Sequence, residues 1–259
     1  MLALVLGALT VVAVVLVRMG GLGLSRDVAT AAVRAVVQLS AVSLLIAGVL
    51  RSGALTGCFI VAMLTVAAFT SARRISGRGA RGHGRERGVR AIRHSASLAG
   101  WTAFTIGSGV VPALVLLLAT GLVPFRPIAV LPIAGILIGG AMTATALTGR
   151  RALDDLWHRR GEYEGGLALG LLQRDAALEV CRPAAALALV PAIDQTRTVG
   201  LVTLPGAFVG VLLGGADPVQ AGAAQLLVLI ALLAVESASA LLTLEVVTRG
   251  HFGEGRFPG

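Results

Sequence analysis

The sequence predicts an all-α, polytopic membrane protein with about seven transmembrane helices, its N-terminus outside and its C-terminus inside. Composition is the first reason. With 56% hydrophobic and 14% charged residues over 259 positions, and a mean hydropathy of +0.88, no soluble fold has enough interior to hide the apolar side chains. The second is periodicity: the apolar stretches are continuous, where a membrane β-barrel would alternate. The third is the placement of charge. There is no lysine, and with seven spans and an outside N-terminus only Arg51 and Arg126 fall outside, leaving the other twenty arginines inside.

The elements follow in order. Residues 1–17 form an apolar run whose first positive charge, Arg18, comes after it, the reverse of a secretory signal, so a retained first helix is expected. The second span, 29–50, carries Arg34 and Gln38 one turn apart on one face, where Arg34 either snorkels to the interface or lines a path. A third span covers 53–69. The stretch 73–94, rich in Arg and Gly, reads as a mobile basic loop that sets topology and meets anionic lipid headgroups. It has no interleaved aromatic residue on which bases would stack, so nucleic acid is not expected as a partner.

Spans four and five are expected at 97–121 and 128–147. The fifth contains Pro132, Gly135, Gly139 and Gly140, which lipid tolerates where neighbouring helices or a wet cavity satisfy the backbone, so it is a candidate for lining a path together with Met142. A long inner segment, 149–196, comes next. A sixth span is expected from Thr198 to Leu213 with Pro205 and Gly206 near its middle, and a seventh over 219–247. The whole chain, 1–259, reads as one permease domain.

Enzymatic groups are sparse. His83, His94, His158 and His251 all lie in inner loops or the tail, and no HExxH, GxSxG or paired-carboxylate motif sits in a span. Cys58 and Cys181 fall in different segments and form no metal-spaced pair. A Walker A loop needs its lysine, so the chain is not itself a P-loop ATPase. No catalytic residue is assigned, and the metal ligands are left unknown.

In the inner segment, Glu164, Leu167, Leu169 and Gly170 can form a short helix that enters a partner's groove, and an interfacial helix fits that spacing equally well. Five sequence features occur in a fixed order: Arg34-Ala35-Val36-Val37-Gln38-Leu39; Pro132-Ile133-Ala134-Gly135 with Ala141-Met142; Leu167-Ala168-Leu169-Gly170; VPAIDQTRTVGLVTLPG over 190–206; and Gly214-Gly215-Ala216-Asp217-Pro218 with Gln225. Together they resemble the FetB-type permeases of ATP-binding cassette exporters, which are linked to iron export and include plant aluminium-tolerance membrane proteins.

The resemblance implies a multi-pass permease of the bacterial inner membrane that dimerises with itself and binds a separate nucleotide-binding ATPase subunit. ATP and Mg would then belong to the partner, and this chain would hold no cofactor. It also implies that Glu164, Leu167, Leu169 and Gly170 form the coupling element. Pro191, Asp194, Arg197, Gly200, Leu204, Pro205 and Gly206 carry the family motif, which reads as a gate. Asp194 and Arg197 form either an interfacial pair at a helix start or a link passing movement to a bend at Pro205. The chain departs from the family pattern at Leu171-Leu172-Gln173 and at Gly140, where Asn is usual.

Glu236 lies inside the seventh span in LLAVESASALL, at a cost of about 2.5–3.5 kcal/mol on insertion scales for charged groups such as Asp. It is therefore protonated, paired or facing a wet cavity. An ion-coupled secondary transporter or channel working without an ATPase is the competing reading. It predicts repeated halves with matching broken helices, and no such repeat is legible.

Overall fold

The computed structural model describes residues 1–76 and 89–252, apart from the side chains of residues 47 and 89–96. The expected loop 73–94 is shortened from both ends. Arg73 and Arg74 lie in the last turn of one helix, positions 89–94 begin the next, and the glycine-rich centre at 77–88 lies outside the described residues, as do 253–259.

Among the described residues the chain is helical throughout, with no strand. Its helices are α1 (Leu2–Met19), α2 (Ser25–Val49), α3 (Gly53–Ser76), α4 (Val89–Ala119), α5 (Pro127–His158), α6 (Arg160–Ala168), α7 (Gln173–Thr198), α8 (Gly206–Leu213) and α9 (Pro218–Thr248). Seven of these are long and apolar enough to cross a membrane, in agreement with the expected number.

Two compact units result, Met1–Thr56 and Gly57 onward. In the first, α1 and α2 pack on one another across a turn in which Gly21 and Gly23 take φ of 65° and 68°. No residue of α1 is fully buried, and away from the half-buried Thr10, Ala13, Val14 and Val17 its apolar side chains are exposed.

In the second unit α5 and α9 run along each other at the centre, with α4 and α7 packed against both. The contacts are made by small residues: Ala134, Ala141, Ala144, Ala152, Ala177, Ala184, Ala221 and Ala240 are fully buried. A Cβ at Gly109 would stand 2.9 Å from the Val235 carbonyl, so α4 approaches α9 backbone to side-chain-free face. This is how helices gain contact in lipid, where no hydrophobic force drives them together. α3 joins through hydroxyls, from Ser71 Oγ to the Met142 carbonyl at 3.1 Å and from Thr102 Oγ1 to the Ala68 carbonyl at 2.8 Å.

Two boundaries differ from expectation. α5 does not stop near Leu147. It continues to His158, carrying Arg150, Arg151, Asp154 and Asp155 on its last turns, and neither Pro132 nor the glycines interrupt it. The second difference concerns the sixth span. The continuous helix expected over 198–213 is not formed, because Gly200 turns the backbone at φ 81° and Pro205 is extended at φ −66°, ψ 156°. α8 has eight residues, about 12 Å at 1.5 Å per residue, too short for a hydrocarbon core of about 30 Å. The sixth candidate span is α7 instead, 26 residues containing a window of mean hydropathy 1.6. Its charges sit near its ends or on its exposed side, while Ala176, Ala177, Val180, Cys181, Ala184, Ala185, Ala188 and Ala192 make a buried face that runs its length.

Candidate functional site

The Glu164–Gly170 stretch is α6 and its cap. Arg159 precedes the helix and ties it down twice: Nε donates to Glu162 at 2.8 Å, and Nη1 donates to the Val180 carbonyl of α7 at 3.0 Å. This contact holds the Glu162 carboxyl below its ordinary range and raises the Arg159 guanidinium, while burial raises the Tyr163 phenol. Tyr163, 1% exposed, is the helix's anchor in the core. Leu167 packs at the margin of the same core, and Glu164 faces out, paired with Arg160 at 2.6 Å.

Gly170 ends α6 in a Schellman cap. At φ 89° it donates its N–H to the Leu167 carbonyl at 2.9 Å, and Leu171 donates to the Gly166 carbonyl at 3.1 Å. The cap leaves Leu169 87% exposed. Trp157 and Leu172 are also largely exposed, so the turn presents an apolar knob on a rigidly held base.

Beyond the turn, Arg174 grips Glu245 near the end of α9 in a two-pronged pair: Nε to Oε1 at 2.9 Å and Nη2 to Oε2 at 2.7 Å. Arg249 adds a third bond to Oε1, at 2.7 Å. A cavity of about 470 Å³ opens here, lined by Leu172, Gln173, Arg174, Thr248, Arg249 and Gly250. This junction was not anticipated. The Glu245–Arg249 spacing is legible in the sequence, but Arg174 lies 71 residues from Glu245 and nothing local pairs them.

The path candidates belong to different compact units. Arg34 and Gln38 are on α2 in the first unit, where Arg34 lines an open groove with Ala29, Thr30, Val33 and Val37. Pro132, Gly135, Met142 and Glu236 belong to the second unit. Pro132 points away from its core, and the Gly135 Cα faces Met63, whose Cε would be 3.2 Å from a Cβ there. Glu236 is 8% exposed and stands against the bare backbone of Gly140, with no hydrogen bond or ion pair among the described residues. Nearby on α5, Thr145 and Thr148 are fully buried with unpartnered hydroxyls.

The 190–206 motif is divided among the end of α7, the irregular stretch 199–205 and the start of α8. Pro191 is exposed on α7, and the Asp194–Arg197 pair, 3.8 Å apart and exposed on one helix, joins no two elements. Gly200 donates to the Thr203 carbonyl at 2.9 Å, Leu204 is exposed, and Pro205 and Gly206 begin α8 instead of bending a longer helix. α8 is fastened to α9 by Gln225, 5% exposed, whose Oε1 accepts from the Phe208 N–H at 3.1 Å. Among the described residues no three His, Cys, Asp or Glu side chains converge as metal ligands.

Long apolar helices packed through a core of small residues define a multi-pass α-helical membrane protein. The family described as "Uncharacterised protein family (UPF0014)" matches residues 1–252, and the chain belongs to it. It is 36% identical over 159 residues to the UPF0014 membrane protein STAR2 of Oryza sativa subsp. japonica, which covers 61% of this chain and 54% of that one. To the protein ALUMINUM SENSITIVE 3 of Arabidopsis thaliana it is 40% identical over 114 residues, covering 44% and 42%. To the probable iron export permease protein FetB of Escherichia coli (strain K12) it is 32% identical over 157 residues, covering 61% and 60%. The chain thus spans less than two thirds of the length of these relatives. No solved structure matches it.

Proposed function

We propose that this chain is the membrane-spanning subunit of an ATP-binding cassette exporter, driven by a separate nucleotide-binding subunit that docks on α6 and the turn after it. The observation that carries the reading is the Leu169 knob: an apolar side chain left in the open by a Schellman cap, on a helix pinned through Tyr163 and Arg159. A side chain so exposed on so firm a base suits a partner's groove. The coupling element expected within 149–196 is thereby narrowed to α6 and the turn 169–172 that follows it.

In this account the N-terminus is outside. The ends of α3, α5 and α9 and the start of α7 then share the inner face, with Arg73, Arg74, Arg150, Arg151, Arg159, Arg160, Arg174 and Arg249, and Arg51 and Arg126 lie outside. With α7 as the sixth span, Arg197 and the loop 199–205 move to its outer end. The chain works as a homodimer and contacts anionic lipid through its basic segment. It binds no nucleotide itself: ATP and Mg belong to the partner, and with no lysine in the chain the phosphate chemistry has to be borrowed. The proposed cargo is iron, from the printed name of the E. coli relative. Glu236 lies in the path. The test is co-expression with candidate ATPase subunits: the wild-type chain retains one on purification and Leu169→Asp does not. Equal retention by both overturns the docking assignment.

A further inference from the structure

We infer that movement at the docking turn reaches the transport path through Arg174, at the start of α7, and Glu245, and therefore along α9, with the rest of α7 and the 190–206 motif playing no part in that step. The inference rests on the ATP-driven reading and adds to it the residues that transmit.

Three observations carry it. Arg174 is the second residue of α7, two positions after the exposed Leu172, so it moves with the turn. Its guanidinium meets Glu245 with two parallel bonds, and Arg249, which caps the end of α9, holds the same carboxylate. A fork on a carboxylate fixes orientation as well as distance, which a single exposed ion pair does not. Next, α9 is one uninterrupted helix from Pro218 to Thr248, with proline only at its first position. Glu236 lies nine residues before Glu245, about 13.5 Å along the axis at 1.5 Å per residue. There α9 leans on α5 at Gly140. α7, by contrast, holds Pro183 and Pro191 and gives way to the irregular stretch 199–205, and its Asp194–Arg197 pair reaches no other helix. A stiff lever therefore leads from the turn to Glu236 through α9, while the route through α7 ends in a loop.

The cavity at the junction fits this role. It is lined by 172–174 and by 248–250, so space remains beside the Glu245 tie.

Two experiments decide it. The first uses the chain alone in detergent. Arg174→Gln speeds amide exchange in the last turn of α9, Glu245→Gln speeds it in the 169–172 turn and the first turn of α7, and Arg182→Gln, on the exposed side of α7, changes neither. Absence of this reciprocity overturns the link. The second uses the complex reconstituted with its ATPase. Arg174→Gln keeps the partner and its ATP hydrolysis but lowers transport about tenfold, within the span usual for coupling between sites. Arg174→Lys, which keeps charge without the fork, recovers part of it. Unchanged transport, or hydrolysis and transport falling together, overturns the inference. If the wild-type chain retains no ATPase, the proposed function fails, and the exchange experiment still decides the link.

Discussion

The carboxylate of Glu236 fills the place that a side chain at Gly140 would take: a Cβ built on Gly140 would lie 2.5 Å from Glu236 Oε1. Each residue thus explains the other. A glycine at position 140 makes room for an acid on α9, and the acid, with Leu232 beside it, fills the gap in α5. Gly140→Ala is expected to destabilise the bundle by about 1–3 kcal/mol, the usual cost of overpacking. Adding Glu236→Ala should relieve the part of it that the carboxylate causes, the Leu232 Cδ1 that crowds the same Cβ accounting for the rest. Thermal unfolding of the four members of the cycle in detergent checks this, and additive effects would count against the contact. Glu236→Gln keeps the shape and should leave stability within about 0.5 kcal/mol, as a substitution that creates no cavity or clash does, while lowering transport.

Neighbouring glycines in α6 should respond differently. Gly170 sits at φ 89°, so Gly170→Ala should cost about 1 kcal/mol, the penalty for a Cβ in the left-handed region, and weaken partner retention. Gly166→Ala meets the Ala176 Cβ at 3.1 Å and should also destabilise. Gly165 faces open space, and Gly165→Ala should stabilise α6 by about 0.5–1 kcal/mol. Melting curves of the three variants rank them.

Acid should loosen α6. The Arg159 contact keeps the Glu162 carboxyl below its ordinary value, so its contribution is complete above the unfolded value of about 4.3. That contribution is lost as pH falls through the lower, folded value. Protection of the amides in 160–168, taken relative to the intrinsic exchange rate at each pH, should fall over that window in the wild type, and Glu162→Gln should remove that fall.

Gln225 is the fastening of α8. Gln225→Leu leaves the Phe208 N–H without its acceptor, at a cost of about 1–3 kcal/mol for an unmet buried donor. Faster exchange confined to 206–213 and the adjoining turn is the expected signature.

Much of this was legible in the sequence because it is written in local terms. Apolar run lengths gave seven spans, and the cap-forming Gly170 marked the end of α6. The misplaced sixth span shows the limit. Hydropathy alone favoured 198–213, but a positive-φ glycine and an extended proline two and seven residues beyond Thr198 forbid one helix there. The alanine-rich 176–192, read as cytosolic, forms a continuous buried face instead. Contacts between distant positions stayed hidden: nothing near Arg174 points to Glu245, and the strangeness of Gly140 and of Glu236 was visible at each position without showing that they meet.

The most direct measurement of the central claim is iron movement in sealed proteoliposomes holding the chain with its ATPase subunit, with and without ATP. Uphill transport that needs both the partner and ATP, and that disappears in Leu169→Asp, is the predicted result. Uphill transport by the chain alone, in vesicles without ATP, would contradict it.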